Sequence, residues 1–385
     1  MSERKEGVRY APLTEYLDFK MRNLHLPFSG TMELTPRCNM NCKMCYIRMD
    51  EKEMAKVGRE RTADEWIEIA QQAVKAGMTM VLFTGGEAIL YKDFKKVYLA
   101  VRKMGVFISI NSNGTRITQE WVDFFKQYPP AKFNITIYGG CNETYNRLCR
   151  NPKGFDQLKE NVERLQAAGF EILLNCMITK QNVDDMEAIY AFGREHGLPV
   201  HANTYTFPAV RKEGVDDPDQ DRFTPTEAAA ARVRVNWNAI NDRERFLARA
   251  DKILGDIENA GSMDEECAEV EGDKVKCAAG RSSFWLTWDG RMLPCGMNPE
   301  YSVRLDGRSF QEAWQEAVDY TATITLAPEC TNCPMKSLCL PCAAKLMAES
   351  GDYGKKAEYK CEYTREYIRL LDEARKYLRN EEANR

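Results

Sequence analysis

Six strand-like runs separated by longer helical patterns constrain this chain more than any other feature of it. The runs lie at 31–35, 80–84, 106–111, 132–138, 170–178 and 199–206, and helical patterns such as Thr62–Ala70 and Asp156–Val162 stand between them. Alternation of this kind calls for parallel strands joined by right-handed crossovers. Several of the helical patterns end in glycine, at Gly77, Gly105, Gly169 and Gly197, the residue that adopts a left-handed cap most readily. Chemistry in such folds collects at the C-terminal ends of the strands. The polar residues that alternate there are expected to point inward: Glu33, Thr35, Ser109, Asn111, Asn113, Asn134, Thr136, Tyr138, Asn175, His201, Asn203 and Tyr205.

At 385 residues the chain is long for a single core. Four regions are expected. These are a helical segment at 1–26 whose Tyr10, Tyr16 and Phe19 pack beneath the strands, a barrel-like unit at 27–210, a linker with a bridging helix at 211–262, and a cysteine-rich region with a C-terminal helix at 263–385. The linker, Arg211 to Asp219, is polar and acidic. Thr224-Pro225-Thr226-Glu227 carries a helix-start signature and predicts one helix over 226–260. From about Tyr363 the charge pattern reads as a solvated amphipathic tail.

Lys plus Arg number 54 against 58 Asp plus Glu, a net charge of -4, so no concentrated basic face points to nucleic acid. The N-terminus has no apolar signal-peptide core, and no stretch approaches membrane-spanning length. A cytoplasmic protein is expected, and its 14 cysteines are then metal ligands before they are disulfides. Three of them form Cys38-Asn39-Met40-Asn41-Cys42-Lys43-Met44-Cys45, on the loop after the first strand. Thiolates favour iron-sulfur clusters, zinc or copper(I), and three on one loop leave a tetrahedral site one ligand short. A zinc knuckle completed from elsewhere in the chain is the plainer alternative. Further on, Ser283 to Cys295 reads as a hairpin turning at Asp289-Gly290. After it come Cys330, Cys333, Cys339, Cys342 and Cys361, a double CxxC that on spacing alone suits zinc as well as iron.

The CxxxCxxC loop after one strand, with Gly85-Gly86-Glu87 ending the next, resembles the signature of the radical S-adenosylmethionine (SAM) superfamily. The resemblance implies an α/β fold with a partial (β/α)6 barrel. It also implies a 4Fe-4S cluster on Cys38, Cys42 and Cys45, with SAM chelating the unique iron. Glu87 would accept from the SAM amino group, with Asn113 and Arg147 as further SAM contacts. Ala88 stands where the family more often has proline. The C-terminal cysteines resemble the SPASM extension of that superfamily, which holds two auxiliary 4Fe-4S clusters. By position Cys277, Cys295 and Cys342 would hold one, with Cys267 as its fourth ligand or an open site in that place. Cys330, Cys333, Cys339 and Cys361 would hold the other. The spacing departs from the family at Cys339 and Cys342, where two residues intervene instead of three.

The resemblance implies reductive cleavage of SAM to a 5'-deoxyadenosyl radical that abstracts hydrogen from a ribosomally made peptide, leading to a carbon-carbon or thioether crosslink. A peptide epimerase, with Cys176 as hydrogen-atom donor, is the related alternative. Other radical SAM chemistry on a small molecule and a non-catalytic iron-sulfur or zinc protein are the more distant ones. A sulfatase-maturing activity is disfavoured because Gly296 follows Cys295 where that subgroup has aspartate. The expected partners are a precursor peptide and an electron donor such as flavodoxin or ferredoxin. About 29 residues precede the first strand, too few for the leader-recognition domain of many relatives, so a separate recognition protein or the barrel rim with the bridging helix is expected to bind the leader. Histidine acid-base chemistry is not expected, since His25, His196 and His201 are the whole complement.

Overall fold

A computed structural model describes residues 13–208, 211, 222–259, 274–275 and 277–383. After helix α1 (Leu13–Asn23) the chain enters six parallel strands: β1 (Ser29–Glu33), β2 (Met80–Thr84), β3 (Phe107–Ser112), β4 (Lys132–Thr136), β5 (Ile172–Met177) and β6 (Val200–Asn203). Between them lie α2 (Glu51–Val57), α3 (Ala63–Ala76), α4 (Phe94–Lys103), α5 (Gln119–Gln127), α6 (Asn142–Cys149), α7 (Gly154–Ala167) and α8 (Met186–Glu195). All six sequence-predicted strands are present, and the four predicted glycine caps have φ between 63° and 126°.

Alternation along the strands builds two layers. Val81, Phe83, Ile108, Ile110, Phe133, Ile135, Ile172 and Leu174 are buried against the helices. Aromatic pairs fasten this layer, with Phe83 edge-on to Phe94 of α4 at 6.0 Å and Phe133 edge-on to Phe125 of α5 at 5.1 Å. The opposite parity, which carries Ser109, Asn111, Asn134, Thr136 and Asn175, lines the concave side.

Beyond β6 the predicted bridging helix is two helices, α9 (Pro225–Ile240) and α10 (Arg243–Asn259). Thr224 and Glu227 form the capping box that starts α9, while Asn241 in the left-handed conformation (φ 47°) ends it. The hairpin follows as β7 (Ser283–Leu286) and β8 (Arg291–Leu293), turning at Gly290 (φ +85°), with β9 (Val303–Arg304) beside it. Strand β7 pairs parallel to β1, so one sheet runs β6-β5-β4-β3-β2-β1-β7-β8-β9. This seats the start of the cysteine-rich region directly on the first barrel strand.

The remaining helices are α11 (Phe310–Ala322), α12 (Ala343–Ser350) and α13 (Glu358–Ala383), with single turns at Pro328–Thr331 and Lys336–Cys339. Helix α13 is more than a solvated tail. Its Tyr363, Tyr367 and Leu371 are buried, and Asn236 of α9 donates to the Tyr367 hydroxyl at 2.6 Å. The N-terminal aromatics correct the expectation in the other direction. Tyr16 and Phe19 are 55% and 64% exposed because α1 docks through polar contacts such as Ser282 Oγ to Asp18 at 2.9 Å; Tyr10 lies outside the described residues. No helix among the described residues is long and apolar enough to cross a membrane.

Candidate active site

The loop that leaves β1 carries Cys38, Cys42 and Cys45, and its backbone is held from two sides. Asn41 and Lys43 donate their N–H groups to the carbonyls of Cys149 and Leu148 at 3.1 and 3.0 Å, acceptors that the end of α6 leaves free. From β2, Gly86 N–H donates to the Thr35 carbonyl and Glu87 N–H to the Arg37 carbonyl, each at 2.8 Å. This approach needs glycine. A Cβ on Gly85 would lie 2.3 Å from the Thr35 oxygen, and one on Gly86 would lie 2.4 Å from the Arg37 oxygen.

All three sulfurs face a cavity of about 410 Å³ at the C-terminal ends of the strands. Its wall also includes Thr84, Gly85, Gly86, Asn111, Asn113, Thr136, Tyr138, Met177, Asn203 and Tyr205. The volume falls within the ~300–1,000 Å³ of sites that enclose a small molecule. The sulfurs are spread along this wall, and among the described residues no three His, Cys, Asp or Glu side chains converge closely enough to hold a single ion. N–H groups point at them, from Met40 to Cys38 at 3.4 Å and from Arg48 to Cys45 at 3.2 Å. Burial, with Glu87 beside it, pushes the Cys38 thiol up to about 12. Cys42 is lowered instead, chiefly by a hydrogen bond from the Cys149 thiol. Three sulfurs sharing one wall, with amide donors around them, fit a polynuclear iron-sulfur group.

Glu87 lies behind this wall. It is buried, its Oε2 accepts the Asn113 backbone N–H at 2.8 Å, and its Oε1 has no partner. Asn113 spans to the cysteine loop through Nδ2, which donates to Asn39 Oδ1 at 3.0 Å and approaches Cys38 Sγ at 3.6 Å. The unpartnered buried oxygen, on a carboxylate near Cys38, fits a donor such as a SAM amino group would supply.

Two smaller groups of cysteines assemble in the C-terminal region. Cys277, Cys295 and Cys342 share one cavity, with Asn298 and Thr321. Cys330, Cys339 and Cys361 line a second one, and Cys333 lies near enough to raise the Cys330 thiol electrostatically. The first of these groups adjoins the main cavity. Tyr46, on the main cavity wall, feels both Cys45 and Cys295, and Met297 lines the same wall. Cys267 lies outside the described residues.

Residues 32–193 match the family described as the Radical SAM superfamily. This stretch is a radical SAM domain. Among curated relatives, the AdoMet-dependent heme synthase of Methanosarcina barkeri is 23% identical over 336 residues, covering 85% of this chain and 94% of that protein. The sporulation killing factor maturation protein SkfB of Bacillus subtilis is 26% identical over 272 residues, covering 70% of this chain and 60% of SkfB. The fold is shared with Streptococcus suis SuiB bound to the precursor peptide SuiA, at TM-score 0.65 and 15% identity over 93% of this chain and 84% of that one. It is also shared with anSMEcpe with bound AdoMet, at TM-score 0.64 and 16% identity over 92% of this chain and all of that one.

Around the cavity the expected residues divide. Asn111, Asn113, Thr136, Tyr138, Asn203 and Tyr205 reach the cavity wall as expected from strand parity. Glu33 and Thr35 do not. Glu33 is fully buried, paired with Arg211 and accepting Trp285 Nε1 at 2.5 Å, while Thr35 donates to Glu60. His201 is exposed on edge strand β6. Arg147 is corrected most plainly. Its guanidinium donates to the Gln181 carbonyl and to Thr144 on the outside of α6, and it is absent from the cavity wall. Cys176 shares the parity of Ile172 and Leu174, is 4% exposed, and faces the helices. Sequence reasoning missed Tyr46 and the Glu33–Arg211 pair. An acidic residue at an inward strand position, needing a cation, was the signal for the second.

Proposed function

We propose that this chain is a radical SAM enzyme that modifies a ribosomally made peptide, forming a carbon-carbon or thioether crosslink. The observation that carries the reading is the placement of two further cysteine groups in the C-terminal region, one of them beside the cavity of Cys38, Cys42 and Cys45. SkfB, a maturation protein by name, and the shared fold of SuiB with its precursor peptide support a peptide substrate. When bound, the cluster and SAM supply a radical that removes one hydrogen atom.

The chain's own residues hold and enclose. Cys38, Cys42 and Cys45 would ligate the SAM cluster, Cys277, Cys295, Cys342 and Cys267 the first auxiliary cluster, and Cys330, Cys333, Cys339 and Cys361 the second. Met40, Met44, Ile47, Tyr138, Met177 and Phe207 form an apolar wall that keeps water from the reacting centre. Asn111, Thr136, Asn203 and Tyr205 offer the polar groups that orient a substrate. A flavodoxin or ferredoxin is the electron donor in this reading, and the leader is bound by a separate recognition protein or by the barrel rim with the bridging helices. A cytoplasmic location accords with the free thiols of the described cysteines.

Crosslinking is favoured over epimerisation because Cys176, the candidate hydrogen donor, faces away from the cavity. In deuterated water a crosslinked peptide loses two hydrogens, whereas an epimerised one gains a deuterium. A small-molecule substrate is the second reading, favoured by an alignment that spans 94% of the heme synthase. Anaerobically purified protein should contain about twelve irons per chain, for three 4Fe-4S clusters. A Cys38/Cys42/Cys45→Ala triple variant should retain about eight and cleave no SAM. Stoichiometric zinc without iron would refute the proposal.

A further inference from the structure

Beside the main cavity lies a second, of about 210 Å³, and the two share Asn203 and Tyr205. Three cations line it: Arg232 of α9, Lys345 of α12 and Lys360 of α13. Among the described residues none of the three forms an ion pair. Glu349, one turn after Lys345, is already engaged by Arg222 and by the Tyr205 hydroxyl. Tyrosine rings hold the cations in place, Arg232 at 4.0 Å from Tyr367, Lys360 at 4.0 Å from Tyr363 and Lys345 at 5.0 Å from Tyr205.

Buried like charges without a counter-charge are costly. Lys360 is only 7% exposed, and Arg232 and Lys345 are half-buried beside it. Lys345 and Lys360 also border Cys330, Cys339, Cys342 and Cys361, so thiolates or a cluster there would balance part of their charge. Arg232 lines the second cavity, where Cys339 is the one member of that group beside it, and it lies apart from Cys330, Cys342 and Cys361. A guanidinium there is suited to a planar or tetrahedral oxyanion.

We propose that the second cavity is a subsite for one anionic oxygen group, a carboxylate or a phosphate, carried by the molecule that reacts in the main cavity. The subsite's place in turnover rests on the function proposed above. Its volume lies below the ~300–1,000 Å³ of sites that enclose whole small molecules, and it suits a single group and its attachment. Asn203 and Tyr205 form a wall common to both cavities, so in this proposal the substrate reaches across them, the anion fixing which of its C–H bonds is presented.

Calorimetric titration of the anaerobically purified protein at low ionic strength, with glutarate and separately with inorganic phosphate, tests the subsite. Saturable binding of at least one is expected, weakened roughly tenfold or more in both Arg232→Gln and Lys345→Gln. Lys345→Arg should retain binding, which separates charge from folding. The tighter of the two probes identifies the anion class. Absence of saturable binding by either probe, or equal binding in folded Gln variants, would overturn the inference. The titration requires neither SAM nor turnover, so its failure is distinct from a failure of the proposed reaction.

Discussion

The carboxylate of Glu87 accepts the backbone N–H of Asn113 at 2.8 Å, tying the loop after β2 to the loop after β3. Its other oxygen is buried without a partner, and burial pushes the carboxyl up to about 7. A donor arriving at that oxygen would make a charge-assisted hydrogen bond, worth about 1.5–3 kcal/mol. Glu87→Gln keeps the shape and the tie to Asn113 but removes the charge. SAM binding, followed by titration, should weaken about tenfold to hundredfold. An affinity unchanged within about twofold would leave Glu87 as a loop tie alone.

Gly86 and Gly105 offer a contrast between two uses of glycine. Gly105 has φ +81° with open space around it, whereas a Cβ on Gly86 would lie 2.4 Å from the Arg37 carbonyl oxygen in backbone that cannot swing aside. Gly86→Ala should displace the cysteine loop, lower iron by about four per chain and abolish SAM cleavage. Gly105→Ala should cost about 1 kcal/mol of stability and leave the iron content as it is. Iron analysis and thermal melting of the two variants separate these outcomes.

Glu33 and Arg211 form a buried ion pair, 0% and 7% exposed at the side chain, with Trp285 donating to the same carboxylate. Removing one partner leaves the other charged and desolvated, which costs about 3–5 kcal/mol. Glu33→Gln and Arg211→Met should each destabilise by that order in denaturant titrations. The double variant should recover most of the loss, because neither charge is then stranded. Additive losses would mean that the two side chains act independently.

The strand parity that places Asn111, Thr136 and Tyr205 on the cavity was legible because a period of two is a local property of the chain. The cysteine loop and Gly85-Gly86 were legible for a related reason, since each is a short run with one geometric demand. The pairing of β7 with β1 was not legible. Ser29 and Ser283 are partners in register across the intervening chain, and nothing within either segment encodes the other. Family spacing puts Arg147 at the cavity, but the rotation of α6 aims it at the Gln181 carbonyl. The break at Asn241 was hidden in a continuous helical composition, where a single residue in the left-handed conformation ends α9.

Parity also decides the last case. Asn175 lies on the concave side, so its neighbour Cys176 must face the helices, and there the thiol is buried with Ile172 and Leu174. Burial pushes the Cys176 thiol well above its ordinary range, as expected of a small hydrophobe with no charged partner to ionise it. Cys176→Ala should therefore cost about 1–2 kcal/mol of stability through the small cavity it leaves. SAM cleavage and the identity of the peptide product should match the parent protein, measured by mass spectrometry of reactions in deuterated water. A variant that cleaves SAM normally but no longer returns hydrogen to the peptide would mean that this thiol reaches the substrate, and would restore the epimerase reading.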